Sequence, residues 1–151
     1  GSAQPAAQVF AKVAGIMKRS LLDTDTLSFY LKGAPAVVNR AREYVEQLGR
    51  LDFSIITYYE IRRGLLYAKA QQKAEQFEKM AAASCVWPLN VAESREAAEI
   101  CARLWLKGTP LDDADILIAG IALANDLVLV TNNERHFRRI EGLRLDNWLT
   151  Q

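Results

Sequence analysis

Short apolar runs alternate along this chain with longer stretches in which apolar residues return every three or four positions. Ser20-Leu21-Leu22 ends abruptly in Asp23, the pattern of a buried strand whose next residue emerges at a sheet edge. Thr24 to Leu31 predicts a short helix stopped near Gly33-Ala34-Pro35. Ala36 to Leu48 predicts a second, with Val37, Ala41, Tyr44, Val45 and Leu48 at helical period and Gly49 as its end. Phe53 to Ile56 reads as the second strand. Thr57 followed three residues later by Glu60 predicts a capping box, opening a helix that carries Ile61, Leu65 and Ala68 inward. Another helix is expected from Lys69 to Ala83, then a third strand over Cys85 to Leu89, placed at an edge by Pro88. Asn90 and Glu93 repeat the capping pattern ahead of a helix that buries Ala97, Ile100, Cys101 and Leu104 and ends near Lys107-Gly108. A turn over 109–115 leads into the most apolar helix, Ile116 to Ala124, whose Ala119, Gly120 and Ala122 allow close approach to a sheet. Leu127 to Thr131 is the clearest strand. A short helix over Glu134 to Ile140 and a last strand near Leu143 to Leu145 complete the pattern. Strands alternating with helices predict a single α/β domain, with a central, mostly parallel sheet of about four to five strands flanked by helices on both faces.

Composition narrows the function less than the fold. The 151 residues suffice for one domain with its own core, and with half of them hydrophobic and a quarter charged the chain is an ordinary globular one. The net charge of +1 gives no global field for nucleic acid, so such binding must rest on local clusters. Arg62 and Arg63 form one; Arg135, Arg138, Arg139 and Arg144 form another. Cys85 and Cys101 show no paired metal spacing, and a single histidine, His136, cannot supply a histidine-rich metal site. Two reduced, buried thiols fit a cytoplasmic protein, and no apolar run is long enough to span a bilayer. Gly1-Ser2 reads as an expression scar and residues 1–16 as a tag or extension, with the domain over 17–151. Val9, Phe10, Val13, Ile16 and Met17 would line one helical face of that extension.

Polar residues gather where the strands end. Asp23 follows strand one, Glu60 lies just past strand two, Asp115 starts the small-residue helix, and Thr131-Asn132-Asn133-Glu134 follows the last buried strand. Parallel strands put their carboxyl ends at one edge, so residues distant in sequence can converge there. Carboxylates crowded together need a positive partner, and a hard divalent cation supplies it. Such an ion polarises a phosphodiester and activates water. Each acid also has a structural reading: Glu60 and Glu134 at the fourth position of capping boxes, and Asp115 three residues after Asp112, would favour helix amino termini. Asp23 is harder to assign to capping, because it directly follows a buried strand. Asp25, Asp112 and Asp113 are outer candidates, and His136 is a structural residue or a phosphate contact.

These residues together resemble PIN-domain proteins of the VapC type, the toxins of bacterial type II toxin–antitoxin systems. The resemblance runs through Leu21-Leu22-Asp23-Thr24-Asp25-Thr26, Ile56-Thr57-Tyr58-Tyr59-Glu60-Ile61-Arg62-Arg63-Gly64, Asp115-Ile116-Leu117-Ile118-Ala119-Gly120, Thr131-Asn132-Asn133-Glu134-Arg135-His136-Phe137 and Gly142-Leu143-Arg144-Leu145-Asp146-Asn147-Trp148, spanning 17–148. It implies a Mg2+- or Mn2+-dependent endoribonuclease that cuts structured RNA, transfer or ribosomal, leaving 5′-phosphate and 3′-hydroxyl ends. Asp23, Glu60 and Asp115 match the family's acidic metal positions. A fourth acidic position of many members is Asn133 here, which adds no charge, with Glu134 as a substitute. Thr57 and Thr131 match hydroxyl positions, Thr24 is a further candidate for ligand or RNA contact, and the arginines flanking Glu60, Arg62 and Arg63, together with those following Thr131, would hold neighbouring phosphates. The resemblance also implies a VapB-like antitoxin, docked on positions such as Tyr44, Tyr58, Leu65 and Leu66, and a homodimer.

Two other readings stand beside this one. Asp23-Thr24-Asp25 after an apolar strand also resembles the first motif of haloacid dehalogenase-like phosphatases, in which the first aspartate is the nucleophile. Leu27 stands where those enzymes usually carry a hydroxyl, and the chain is short for that fold. A degenerate PIN-like module that binds RNA or an antitoxin without cutting is the non-enzymatic alternative, kept open by Asn133.

Overall fold

A computed structural model describes residues 16–150. Of the apolar face expected in the extension, positions 9, 10 and 13 lie outside the described residues, and Ile16 and Met17 precede β1 without helical structure. The elements are β1 (Ser20–Leu22), α1 (Thr24–Leu31), α2 (Pro35–Leu48), β2 (Asp52–Ser54), α3 (Ile55–Tyr67), α4 (Gln71–Ala82), β3 (Cys85–Trp87), α5 (Val91–Leu106), α6 (Asp113–Ala124), β4 (Val128–Val130), α7 (Glu134–Phe137) and β5 (Leu145–Asp146).

All four strand pairings are parallel, in the order β3-β2-β1-β4-β5. The alternation of side chains along β1 and β4 divides the core in two. Leu21 and Leu129, paired in register, face α5 and α6 with Ala97, Ile100, Leu104, Ile116 and Ile118. Leu22 and Val130 face the other way, onto Leu27, Val37, Tyr44, Phe53, Phe77 and Trp148. Both faces are therefore covered, as a parallel sheet requires. The third strand lies at an edge, as its proline suggested.

The chain steps outward from β1 to β2 to β3, then returns to β4 on the other side of β1. The strand order reverses between β1 and β4, and the crevice outside the carboxyl ends at such a reversal is the usual ligand site of open α/β sheets.

Several boundaries differ from the sequence reading, each for a local reason. β2 is Asp52–Ser54, and the helix begins at Ile55 because Ser54, not Thr57, is its N-cap: the Ser54 hydroxyl oxygen accepts from the Thr57 backbone N–H at 3.0 Å. Ala68 falls outside α3 and is exposed, and Thr57 is the helix's only fully buried residue. Val45 of α2 faces solvent, and β5 lies two residues later than expected. Of the small residues of α6, Ala119 and Ala122 are buried in the cluster with Leu21 and Leu129 of the sheet, whereas Gly120 serves a neighbouring helix: a Cβ on it would lie 2.8 Å from the Ala97 Cβ and 2.9 Å from the Glu93 backbone oxygen. The capping box at Asn90 forms as expected, with the Asn90 N–H donating to Glu93 Oε1 at 2.9 Å. Cys85 and Cys101 are free and half-buried rather than buried. Among the described residues no helix is long and apolar enough to cross a membrane.

Candidate active site

Asp23 directly follows β1, at the point where the strand order reverses, and its backbone N–H donates to the Val130 carbonyl at 3.0 Å, which extends the β1–β4 ladder by one residue. Its side chain turns out to cap α1 after all: Oδ1 accepts from the Thr26 N–H at 2.9 Å. The capping role that was hardest to assign to Asp23 from sequence is real, because α1 starts at the very next residue. Capping engages one oxygen and leaves the carboxylate ionisable beside the pocket. Burial pushes its pKa up, while hydroxyls of Thr131 and Thr26 and the Thr26 amide pull it down.

Glu60 sits in the second turn of α3, so the capping reading no longer applies to it. Its Oε1 accepts from the Thr24 hydroxyl at 2.6 Å, and Thr24 Oγ1 lies 3.0 Å from the buried Thr57 Oγ1. Hydroxyls from α1 and α3 thus fix Glu60 in the wall of the cavity that Asp23 also lines. Asp115, in the first turn of α6, comes from the opposite side. Burial, followed by the negative charges of Asp23, Asp112, Glu60 and Asp25, raises its pKa to about 6. That shift records uncompensated negative charge shared among groups from three elements.

Asp23, Thr24, Asp25, Glu60, Asp112, Asp115, Asn133, His136 and Phe137 line one cavity of about 300 Å³. Asp113, also an outer candidate, does not line it. Among the described residues no three acidic, histidine or cysteine side chains close on a single point at ligating distance. The carboxylates instead surround an open space with oxygens held by hydroxyls and an amide. The donor set suits a hard cation that retains several waters and takes one or two carboxylates directly.

The segment after β4 departs from expectation. Thr131, fully buried, accepts from the Asn133 N–H at 2.9 Å through Oγ1, forming a turn rather than a capping box. Glu134 leaves the pocket: Oε2 accepts from Asn147 Nδ2 at 3.0 Å, so it does not substitute for the missing fourth acid. Asn133 places Nδ2 2.7 Å from His136 Nδ1, a link that the spacing of the two residues did not announce. With the amide nitrogen as donor, the imidazole carries its proton on Nε2. Arg62 is spent on Glu78, which also accepts from the Tyr58 hydroxyl, and Arg63 lies 3.7 Å from Glu60 with its guanidinium over the Tyr59 ring. Of the positions named for antitoxin docking, Tyr44 is core, Tyr58 and Leu65 are half-buried, and Leu66 is exposed.

This arrangement has counterparts among known proteins. The PIN domain family model matches residues 20–143, which takes in β1 to β4 and every pocket carboxylate. The tRNA(fMet)-specific endonuclease VapC of Shigella flexneri is 33% identical over 136 residues, covering 87% of this chain and 99% of that protein. Ribonuclease VapC1 of Haemophilus influenzae strain R2866 is 32% identical over 138 residues, 85% and 96% of the two chains. Among solved structures, the DNA-bound VapBC complex of Salmonella typhimurium contains a chain with a TM-score of 0.79 and 32% identity, covering 87% of this chain and 99% of that one. The chain belongs to the PIN-domain family and, within it, to the VapC toxins. The family assignment sets aside the haloacid dehalogenase-like alternative.

Proposed function

We propose that this protein is a divalent-metal-dependent endoribonuclease that hydrolyses a phosphodiester of structured RNA, transfer RNA in the first instance, and so inhibits translation. The observation that carries the reading is the convergence of Asp23, Glu60 and Asp115 on one cavity at the strand-order reversal with no lysine or arginine among the described residues lining it; the exposed Arg63 lies 3.7 Å from Glu60. The names of the VapC relatives support RNA as substrate, and two of them specify tRNA(fMet).

Asp23 and Asp115 would hold one Mg2+ or Mn2+ ion, with Glu60 direct or through water, and the bound ion would supply polarisation of the scissile phosphate and of the attacking water. The chain's own residues set the stage for that chemistry. Thr24 and Thr57 fix the Glu60 carboxylate in one orientation. The Thr26 amide holds one Asp23 oxygen in place, and hydrogen bonds from Thr131 and Thr26 offset part of the upward push that burial gives its pKa. Asn133 fixes the His136 ring so that its Nε2–H is free to donate to a phosphate oxygen, a contact that a fourth carboxylate would repel.

The neighbouring structures are complexes of toxin with antitoxin. A VapB-like antitoxin segment is the partner proposed here, and a groove of about 550 Å³ between α1, α3 and α4 suits it. That groove shares Thr24, Asp25 and Glu60 with the acidic cavity, so a basic side chain from the segment would reach the carboxylates. The exposed Tyr59, Leu66 and Tyr67 of α3 would serve a homodimer.

The test is to incubate the purified chain with total RNA and Mg2+ and map new 5′-phosphate ends, with EDTA and Asp115→Ala as controls. Discrete ends that vanish in both controls are expected. Cleavage that persists in Asp115→Ala, or none at all with either metal, refutes the reading.

A further inference from the structure

Twelve arginines are present in the chain, and the structure divides them by what they touch. Arg19, Arg40, Arg62, Arg63, Arg103 and Arg144 each lie within ion-pair distance of a carboxylate. Arg144, grouped by sequence with the cluster after Thr131, donates to Asp126 at 2.8 Å and leaves it. Arg135, Arg138 and Arg139 have no ion-pair partner among the described residues, and all three are exposed. They occupy five consecutive positions that start two residues beyond Asn133, at the rim of the acidic cavity.

A second segment meets them there. Arg139 shares a small hollow with Arg103 and Lys107 from the carboxyl-terminal end of α5. Lys107 is exposed and unpaired among the described residues, and the chain needs only five more residues to reach Asp112 in the cavity wall. Arg103 faces Glu99 only at 3.7 Å and half-exposed, a pairing weak enough to yield to a phosphate. Two chain segments thus run between a shared hollow, which Glu141 also lines, and the wall of the acidic pocket, one reaching it at Asn133, His136 and Phe137 and the other at Asp112. Of the two arginines beside Glu60, Arg62 is engaged by Glu78, and Arg63 is held over the Tyr59 ring as well as 3.7 Å from Glu60.

We infer that Arg135, Arg138, Arg139 and Lys107, with Arg103, form a one-sided phosphate track that carries the RNA backbone away from the cleavage pocket across α7 and the end of α5. The inference rests on the ribonuclease reading for its substrate and deepens it by assigning the side on which the strand leaves. The logic is electrostatic. Three carboxylates repel a polyanion, and an uncompensated cationic rim on one side offsets that repulsion while fixing the polarity of approach. Contacts of this sort position the strand without reading its sequence.

The test compares Arg138→Ala/Arg139→Ala with Arg42→Ala/Arg50→Ala, whose arginines are equally exposed and unpaired but lie on α2 and at the amino end of β2. Binding of fluorescein-labelled initiator tRNA transcript is followed by anisotropy across a salt series without divalent ions, so that no cleavage intervenes. The expected result is about a tenfold loss of affinity and a salt slope shallower by about 1.4–1.8 for the track variant, at 0.7–0.9 per lost phosphate contact, with the control unchanged. Equal slopes for the track variant and the parent overturn the track, as does an equal change in the control. Cleavage of the same tRNA with Mg2+ is measured separately on the parent. A parent that binds with the expected slope difference and never cuts supports the track and refutes the ribonuclease reading; one that cuts, with no slope difference, does the reverse.

Discussion

Two buried aspartates on neighbouring strands, one at each end of the sheet, meet opposite fates. Asp52 opens β2 at the amino edge and is completely buried. It accepts from Arg19 Nη1 at 3.0 and 2.8 Å, from Trp87 Nε1 at 2.9 Å and from the Tyr44 hydroxyl, so both oxygens are fully engaged by donors, one of them cationic. Asp23 closes β1 at the carboxyl edge, nearly as buried, and receives hydroxyls and one amide but no cation. Its neighbours Glu60 and Asp115 add negative charge. A buried carboxylate surrounded by donors is structure, whereas three carboxylates facing one cavity without sufficient positive charge form a site that requires a ligand. The amino edge holds the fold, and the carboxyl edge is held by it.

The sharpest way to break this contrast is to neutralise one acid at each end. Asp115→Asn should lower the rate of RNA cleavage by about 10²–10³-fold, the cost of losing a group that acts on developing charge. In a divalent-free melt at pH 7.5 the same variant should be more stable than the parent by about 1–2 kcal/mol, after discounting the raised pKa for the partial exposure of the group. A variant that is both inactive and destabilised would place Asp115 with Asp52 as a structural acid. Asp52→Ala should show the opposite profile. Stranding the Trp87 N–H, removing the carboxylate from Arg19 and leaving the Tyr44 hydroxyl only the Ser20 carbonyl at 3.3 Å should cost about 3–4 kcal/mol of stability by urea denaturation, while folded protein keeps its turnover.

Much of this contrast was legible in the sequence, but only one half of it. The strand-then-acid pattern at Asp23 and the apolar helix after Asp115 located the carboxyl edge, because strand ends in a parallel sheet share a side whatever their exact bounds. Asp52 passed unnoticed: it precedes Phe53 by one position, and nothing local distinguishes a buried aspartate at a strand start from a loop residue. Its partners lie 33, 8 and 35 residues away and are brought together only by the fold. The Ser54 cap was mistaken for a Thr57 cap because Ser and Thr both begin helices and the strand was read two residues too long. Once that boundary moved, the rival capping reading of Glu60 fell away. Half of the basic track was legible as the cluster of Arg135, Arg138 and Arg139; the other half was hidden, since Arg103 and Lys107, four apart, look like any solvated face.

The two edges should also differ in their response to pH and metal. Asp115 has its pKa raised from 3.8 to about 6, so between those values the folded chain holds a proton that the unfolded chain has released. Stability of the metal-free protein from this group is therefore greatest below that window and declines as pH rises through it. A divalent cation relieves the loss by binding the ionised form. Melting curves with and without 5 mM Mn2+, a concentration on the order of that used for weak sites, should show a shift of a few degrees at pH 7.5 that shrinks toward zero at pH 5. In Asp115→Asn the shift should be small at both values, and in Asp52→Ala it should match the parent. A Mn2+ shift as large at pH 5 as at pH 7.5 would mean that the ion binds elsewhere.

The smallest expected change concerns the neutral wall of the cavity. Asn133→Asp adds a fourth carboxylate facing Asp23 and Asp115 and removes the amide that donates to His136 Nδ1. If the pocket is short of positive charge, the new acid should tighten Mn2+ binding by about fivefold, near 1 kcal/mol, as read by isothermal titration. The RNA cost should move the other way, because the extra charge opposes phosphate and the imidazole proton is drawn toward Nδ1, away from the cavity. KM for tRNA should therefore rise while kcat changes little. An equivalent substitution at the amino edge has no room for such a trade, since every oxygen of Asp52 is already engaged. Tighter metal binding with a raised KM would identify Asn133 as the position at which this chain trades metal affinity for contact with its RNA; unchanged values of both would assign the Asn133–His136 pair to the stability of the α7 turn alone.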